Sequence, residues 1–214
     1  MQAVTEETDM VFLCQPNNPT GEVTPPALAE RLISRCADCG AVLVVDECFL
    51  PDRVAQTAER FLNDAPKLVI LKAFTTLFAM EGVRLGYALC SDTAQLAGMQ
   101  AARRTWAVSG LAQVAGLAAL QESAYAEEVR TLIEAEQPRL AGWLRALGLH
   151  VIEGRANYLL FRAPADFDEK LRQHDAVVRS CGNYPSLDDG WCRTTVSTAK
   201  ESTKLLAIMK EVLA

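Results

Sequence analysis

Two histidines, His150 and His174, are all the imidazole this 214-residue chain has, and neither stands near a second candidate metal ligand in the sequence. The seven cysteines are odd in number and scattered through apolar stretches. Only Cys36 and Cys39 make a C-x-x-C, without the second pair or neighbouring histidine that would complete four ligands. Thiols so placed behave as small hydrophobes, and no metal is expected. Long apolar runs are missing too, so nothing in the sequence is expected to span a bilayer. Residues 1–9 are polar and acidic, unlike a signal peptide, which makes the cytoplasm the expected location. Basic clusters are scarce: Arg103 and Arg104 are the only adjacent pair, and the formal net charge is −6, which argues against a nucleic-acid partner. What is present is ordinary for a chain that buries a core, 50% hydrophobic and 22% charged, with room for one or two domains.

The first half alternates short apolar runs with amphipathic stretches. Strands are expected at 10–13, 41–45, 68–71 and 87–89. The run at 41–45 holds three valines and a leucine and reads as a strand buried on both faces. Thr24 is the expected N-cap of a helix with Pro25 in its first position and Leu28, Leu32 and Ile33 at helical spacing, closed by Gly40. A second amphipathic segment covers 54–62. Residues 92–147 read as helices punctuated at Ser109 and Gly110, with Pro138 expected to kink or break the last of them. Strands at 150–153, 158–161, 176–179 and 191–196 then combine with helices at 166–173 and from Lys200 onward. The fold class is therefore α/β: a mostly parallel sheet with helices over residues 1–122, followed by a small α+β domain over 123–214.

Ligands of open α/β sheets sit beyond the carboxyl ends of the strands. Three features fall there: Asn18 after the first strand, Asp46 at the end of the second, and the 73–84 loop with Arg84 after the third. Together they suit a polar, anion-bearing ligand. Taken singly, an Asn-Pro is also a turn former and an Asp at a strand end also a helix cap, so each alone leaves both readings open.

As an ordered set they resemble a known family. Asn-Asn-Pro-Thr-Gly at 17–21, Val-Val-Asp-Glu-Cys-Phe at 44–49 and Phe-Ala-Met-Glu-Gly-Val-Arg-Leu-Gly-Tyr at 78–87 are similar to the fingerprints of fold-type-I pyridoxal-phosphate (PLP) enzymes of the class I/II aminotransferase family. The segment 178–187, from Val178 through Arg179 and Tyr184 to Leu187, resembles L-threonine-O-3-phosphate decarboxylases, the cobalamin-pathway relatives of histidinol-phosphate aminotransferase. Residues 103–113, with Trp106, and 156–161 fit the same branch. The resemblance implies a PLP cofactor, an amino acid phosphate as substrate, and a homodimer. It implies that Asn18 bonds the phenolic oxygen of PLP and that Asp46 pairs with the pyridine nitrogen, keeping the ring an electron acceptor. Arg84, with Thr75 beside it, would bind the cofactor phosphate. Arg193 would hold the substrate carboxylate, and Arg179 a second substrate anion. Phe49 stands where many aminotransferases place a tyrosine, a choice the decarboxylase branch shares.

The pattern departs from the family at one decisive place. Eight positions before Arg84, where the family carries the lysine that forms a Schiff base with PLP, stands Thr76, whose hydroxyl cannot do so. Ala73 also lacks a hydroxyl that many relatives carry. Lys72, four residues earlier, is the one alternative amine nearby. With sixteen residues before Asn17, the resemblance implies no expected counterpart in this sequence for the stacking aromatic and the glycine-rich phosphate turn that family members place further upstream. The expectation is a truncated, threonine-phosphate decarboxylase-like chain that is inactive by itself. A histidinol-phosphate aminotransferase-like transaminase and a non-catalytic scaffold pairing with another chain are the alternatives.

Overall fold

A computed structural model describes residues 2–49 and 57–214. The chain divides into two units: Met1–Asn17 with Val23–Ala126, and Asn18–Glu22 with Glu127–Ala214.

The first unit is built on a four-stranded sheet in the order β1 (Met10–Cys14), β2 (Val42–Asp46), β3 (Leu68–Ala73), β4 (Gly86–Leu89). The first three strands are parallel, with Leu13 opposite Val45 and Val45 opposite Ile70, while β4 runs antiparallel to β3. The sequence expectation of four strands in a mainly parallel sheet holds, with ends shifted by one or two residues. In β2 and β3, Leu43, Val44, Val45, Leu68, Val69 and Ile70 are all buried, as a continuous apolar run requires of a strand covered on both faces. On the edge strand β1, alternation sends Val11 and Leu13 into the core and leaves Phe12 72% exposed.

Helix α1 (Pro26–Cys39) starts one residue later than the sequence suggested. Its cap is Pro25, at φ −55 and ψ 137, rather than Thr24. A residue that precedes a proline is barred from helical ψ by the proline ring, so Pro26 sets the start. Gly40 closes the helix at φ 74, as expected. The segment at 54–62 lies partly outside the described residues; its remainder is a short 3-10 turn, Ala58–Phe61, capped by the Thr57 hydroxyl. A four-residue helix, α2 (Phe74–Leu77), follows β3 without a loop. Then come α3 (Thr93–Ala102) and α4 (Gly110–Ala119), the latter capped by Ser109 Oγ, which accepts from Ala112 N at 3.1 Å. Gly116 seats α4 on Leu85, whose Cδ2 would lie 2.4 Å from a Cβ placed there. No helix among the described residues is long and apolar enough to cross a membrane.

Helix α5 (Ser123–Ala146) runs unbroken through Pro138. Proline costs a helix interior about 3 kcal/mol, but the turns beyond it bury Leu140, Ala141 and Leu144 almost completely. Gln137 also donates to the carbonyl of Ala156 at 2.7 Å. Tertiary burial on this scale outweighs the local preference.

The second unit holds an antiparallel sheet in the order β5 (His150–Ile152), β6 (Tyr158–Arg162), β8 (Trp191–Thr195), β7 (Arg179–Ser180), with α6 (Phe167–Gln173) and α7 (Ala199–Leu213). Leu144, Leu159, Phe161, Phe167, Leu171 and Met209 centre its core. The strand expected at 176–179 begins only at Arg179; Ala176 and Val178 are buried in the core ahead of it. Residues 18–22 join this unit through a backbone contact: Arg155 N donates to Gly21 O at 2.6 Å, and Gly21 lies at φ 74. A Cβ on Gly154 would stand 2.3 Å from the carbonyl carbon of Gly21. Gly154→Ala therefore has to push two backbones apart. We expect a loss of about 1–3 kcal/mol, measured by thermal unfolding.

Candidate functional site

In the first unit, the polar residues singled out from the sequence gather at the carboxyl edge of the sheet. Asp46 is the last residue of β2, opposite Leu71 of β3. Its Oδ1 accepts from Cys48 N at 3.0 Å. Burial first, and then the Asp46 carboxylate, push the Cys48 thiol up to about 12, so this cysteine is a neutral neighbour and no nucleophile. Thr75 and Thr76 lie in α2, immediately past the end of β3. Because β4 is antiparallel, its start lies at the same edge, with Gly86 opposite Ala73. Arg84 precedes it with φ 58 and is exposed, its Nη1 donating to Glu81 O at 3.0 Å.

Lys72 points to a different partner set. Its Nζ lies 3.0 Å from Glu47 Oε2 and 2.6 Å from Glu59 Oε1, and only 10% of the side chain is exposed. Burial by itself would pull this amine down, but the two carboxylates outweigh it and hold the pKa above the ordinary lysine value. Glu47 is fully buried and satisfied: Ala58 N donates to Oε1 at 2.6 Å and the Thr57 hydroxyl to Oε2 at 2.7 Å. Lys72 is therefore a locked ammonium, and an ammonium has no lone pair with which to attack a carbonyl.

The second unit brings together Asn18, Arg179 and Arg193. Strand β8 alternates, with Cys192 packed in the core and Arg193 on the opposite face. There the Arg193 guanidinium sits 4.7 Å from the centre of the Tyr158 ring and donates from Nη1 to Asn18 Oδ1 at 2.6 Å. Arg179 is the partner of Arg193 across β7 and β8. Cys181 N donates to Trp191 O at 2.8 Å, so alternation makes Arg179 and Arg193 the next hydrogen-bonded pair, their Cα atoms about 5.5 Å apart and their side chains on one face. Among the described residues Arg179 has one polar side-chain neighbour, Asn183 Oδ1 at 3.5 Å, and no carboxylate. Cys181 beside them is held above the usual thiol range by burial, against the pull of Arg193 and Arg179, so it remains neutral and offers no counter-charge. Two like charges directly opposite in a sheet repel each other, and an anion between them would relieve that repulsion.

Two groups of residues, one in each unit, escaped the sequence reading. Tyr158 and Tyr184 both touch the Arg193–Asn18 pair, Tyr184 through a hydrogen bond from its hydroxyl to Asn18 Oδ1 at 3.1 Å. The Glu47–Lys72–Glu59 cluster is the other. Its only sequence trace is the acidic residue following Asp46.

The aminotransferase class I and II family profile matches residues 1–209. The threonine-phosphate decarboxylase of Salmonella typhimurium is 36% identical over 218 residues, which covers 100% of this chain and 60% of that protein. The crystal structure of histidinol-phosphate aminotransferase from Clostridium acetobutylicum is similar with a TM-score of 0.91 at 26% identity, over 96% of this chain and 64% of that one. The histidinol-phosphate aminotransferase of Sinorhizobium meliloti, solved in complex with pyridoxal-5'-phosphate, shares the fold with a TM-score of 0.81 at 23% identity, over 95% of this chain and 57% of that one. The chain thus spans about 60% of the length of the decarboxylase it matches.

Proposed function

The chain belongs to the class I and II aminotransferase family, which is PLP-dependent, and from that premise we propose that it is a threonine-phosphate decarboxylase-like protein that binds an amino acid phosphate and is catalytically inactive as this chain. The observation that carries the reading is the Arg179–Arg193 cross-strand pair beside Asn18. An amino acid phosphate has a carboxylate and a phosphate, one for each guanidinium, and a forked guanidinium suits both.

The residue types suit the non-covalent part of the cofactor. Asp46 would hold the pyridine nitrogen, Thr75 and Arg84 the phosphate, and Asn18 the ring oxygen. Bound PLP supplies an electron-withdrawing ring next to the substrate carbon. The covalent part does not fit. Thr76 offers a hydroxyl where an amine is needed, and Lys72 is held by two carboxylates. Neither Thr76 nor Lys72 would then supply the amine that moves a proton at the reacting carbon.

Titration calorimetry with O-phospho-L-threonine tests the binding half. Saturable heat that weakens with added salt is the expected result. Borohydride reduction with PLP present, followed by peptide mass spectrometry, tests the other half; we expect no pyridoxyl adduct on Lys72. An adduct there, or release of carbon dioxide from O-phospho-L-threonine, would overturn the inactive reading. Histidinol phosphate is the second candidate ligand, favoured by the structural likeness to histidinol-phosphate aminotransferases. It carries no carboxylate, so tighter binding than O-phospho-L-threonine would reassign Arg193.

A further inference from the structure

Tyr184 belongs to the 178–187 segment and lies in the loop between β7 and β8. Its backbone is fixed by two successive turns: Tyr184 N donates to Cys181 O at 3.0 Å, and Leu187 N donates to Tyr184 O at 3.1 Å. Beneath that loop Gly182 lies so close to Asp189 that a Cβ would stand 2.4 Å from Asp189 Oδ1. The phenol is thus presented from a fixed backbone, half-buried, to Asn18.

The Asn18 amide receives two hydrogen bonds at one atom, Oδ1: one from Arg193 Nη1 at 2.6 Å and one from the Tyr184 hydroxyl at 3.1 Å. A guanidinium can only donate. The Asn18 atom facing it must therefore be the carbonyl oxygen, which settles an amide orientation that is otherwise a matter of assignment. Both lone pairs of that oxygen are taken. The amide nitrogen, with two donors, faces away from Arg193 and Tyr184.

We infer that Tyr184 is a positioning residue: by sharing the Asn18 carbonyl with Arg193, it fixes the side-chain amide of Asn18 so that only its nitrogen can meet a ligand, as a donor to an oxyanion or phenolate. This inference rests on the anion-binding reading above. Without the phenol, the amide is held at one point, by Arg193 Nη1, and can rotate about that contact. Tyr184 contacts no ligand in this scheme, and its effect passes entirely through Asn18.

A double-mutant cycle with O-phospho-L-threonine as the probe separates that route from a direct contact or a general structural role. Tyr184→Phe keeps the ring and removes one hydrogen bond; it should weaken binding by about 3- to 10-fold, the range for one such bond. Asn18→Ala should weaken it at least as much. In the Asn18→Ala background, Tyr184→Phe should change nothing further, because the group it positions is gone. Additive losses, or full affinity in Tyr184→Phe, would overturn the inference. A second measurement needs no ligand: in nitrogen-15 NMR spectra, the side-chain amide signals of Asn18 should shift in Tyr184→Phe, whereas unmoved signals would refute the positioning role. Should the unmodified chain bind no O-phospho-L-threonine, the anion-binding reading fails and the NMR comparison alone decides for or against Tyr184.

Discussion

Lys72→Met should lower the stability of the chain by about 3–5 kcal/mol, the usual cost of removing one partner of a buried ion pair. For a domain of this size that is a fall in Tm on the order of 10 °C. The effect is large because of Glu47, not because of the lysine. The Glu47 side chain is completely buried, and among the described residues Lys72 is the cation paired with it, alongside the Thr57 hydroxyl and Ala58 N. Take the ammonium away and a carboxylate remains in an apolar interior. Adding Glu47→Gln should therefore return much of the loss, which a simple packing defect at position 72 would not allow. The sign of the pH dependence follows from the raised pKa of Lys72. Its contribution is fully present below the ordinary lysine value, near pH 10.4 as a rough reference, and disappears as pH rises through the higher folded value. A Lys72→Met chain as stable as wild type would remove the ground for calling this amine locked.

Arg193→Ala should weaken O-phospho-L-threonine binding by about 100-fold, close to 3 kcal/mol, since charge-assisted hydrogen bonds are worth about 1.5–3 kcal/mol each. The substitution also frees Asn18 Oδ1 and uncovers the ring of Tyr158. Arg193→Lys is expected to recover little, because an ammonium cannot form a planar fork and stack on Tyr158 at once. Arg179→Ala provides the contrast. Arg179 is exposed, and its side chain has only the 3.5 Å contact with Asn183, so its loss should cost less and mostly through salt-sensitive attraction. Calorimetry at two ionic strengths distinguishes them: the Arg193 effect should persist at high salt and the Arg179 effect should shrink. Equal losses with equal salt dependence would mean that both arginines meet the ligand in the same way.

The sequence by itself determined a good deal. Apolar runs at 41–45 and 68–71 announced strands buried on both faces, since short β-branched runs without alternation suit a strand covered on each side. Gly40 marked the end of α1, because only glycine takes φ 74 there at little cost. The order of Asn18, Asp46 and Arg84 carried the family resemblance, and Thr76 in place of a lysine is a fact of sequence alone. Tertiary structure decided what spacing cannot express. Pro138 stays inside a continuous helix because burial of Leu140 and Leu144 offsets a local penalty. Asn18 follows β1 in the chain but is held by Arg193 and Tyr184, more than 160 residues away along it. Lys72 and Thr76 are four positions apart, and the sequence leaves the lysine open as a substitute amine; only the fold surrounds it with Glu47 and Glu59. A residue's type says what chemistry it can do, while its charge state and its partners depend on what the rest of the chain brings beside it.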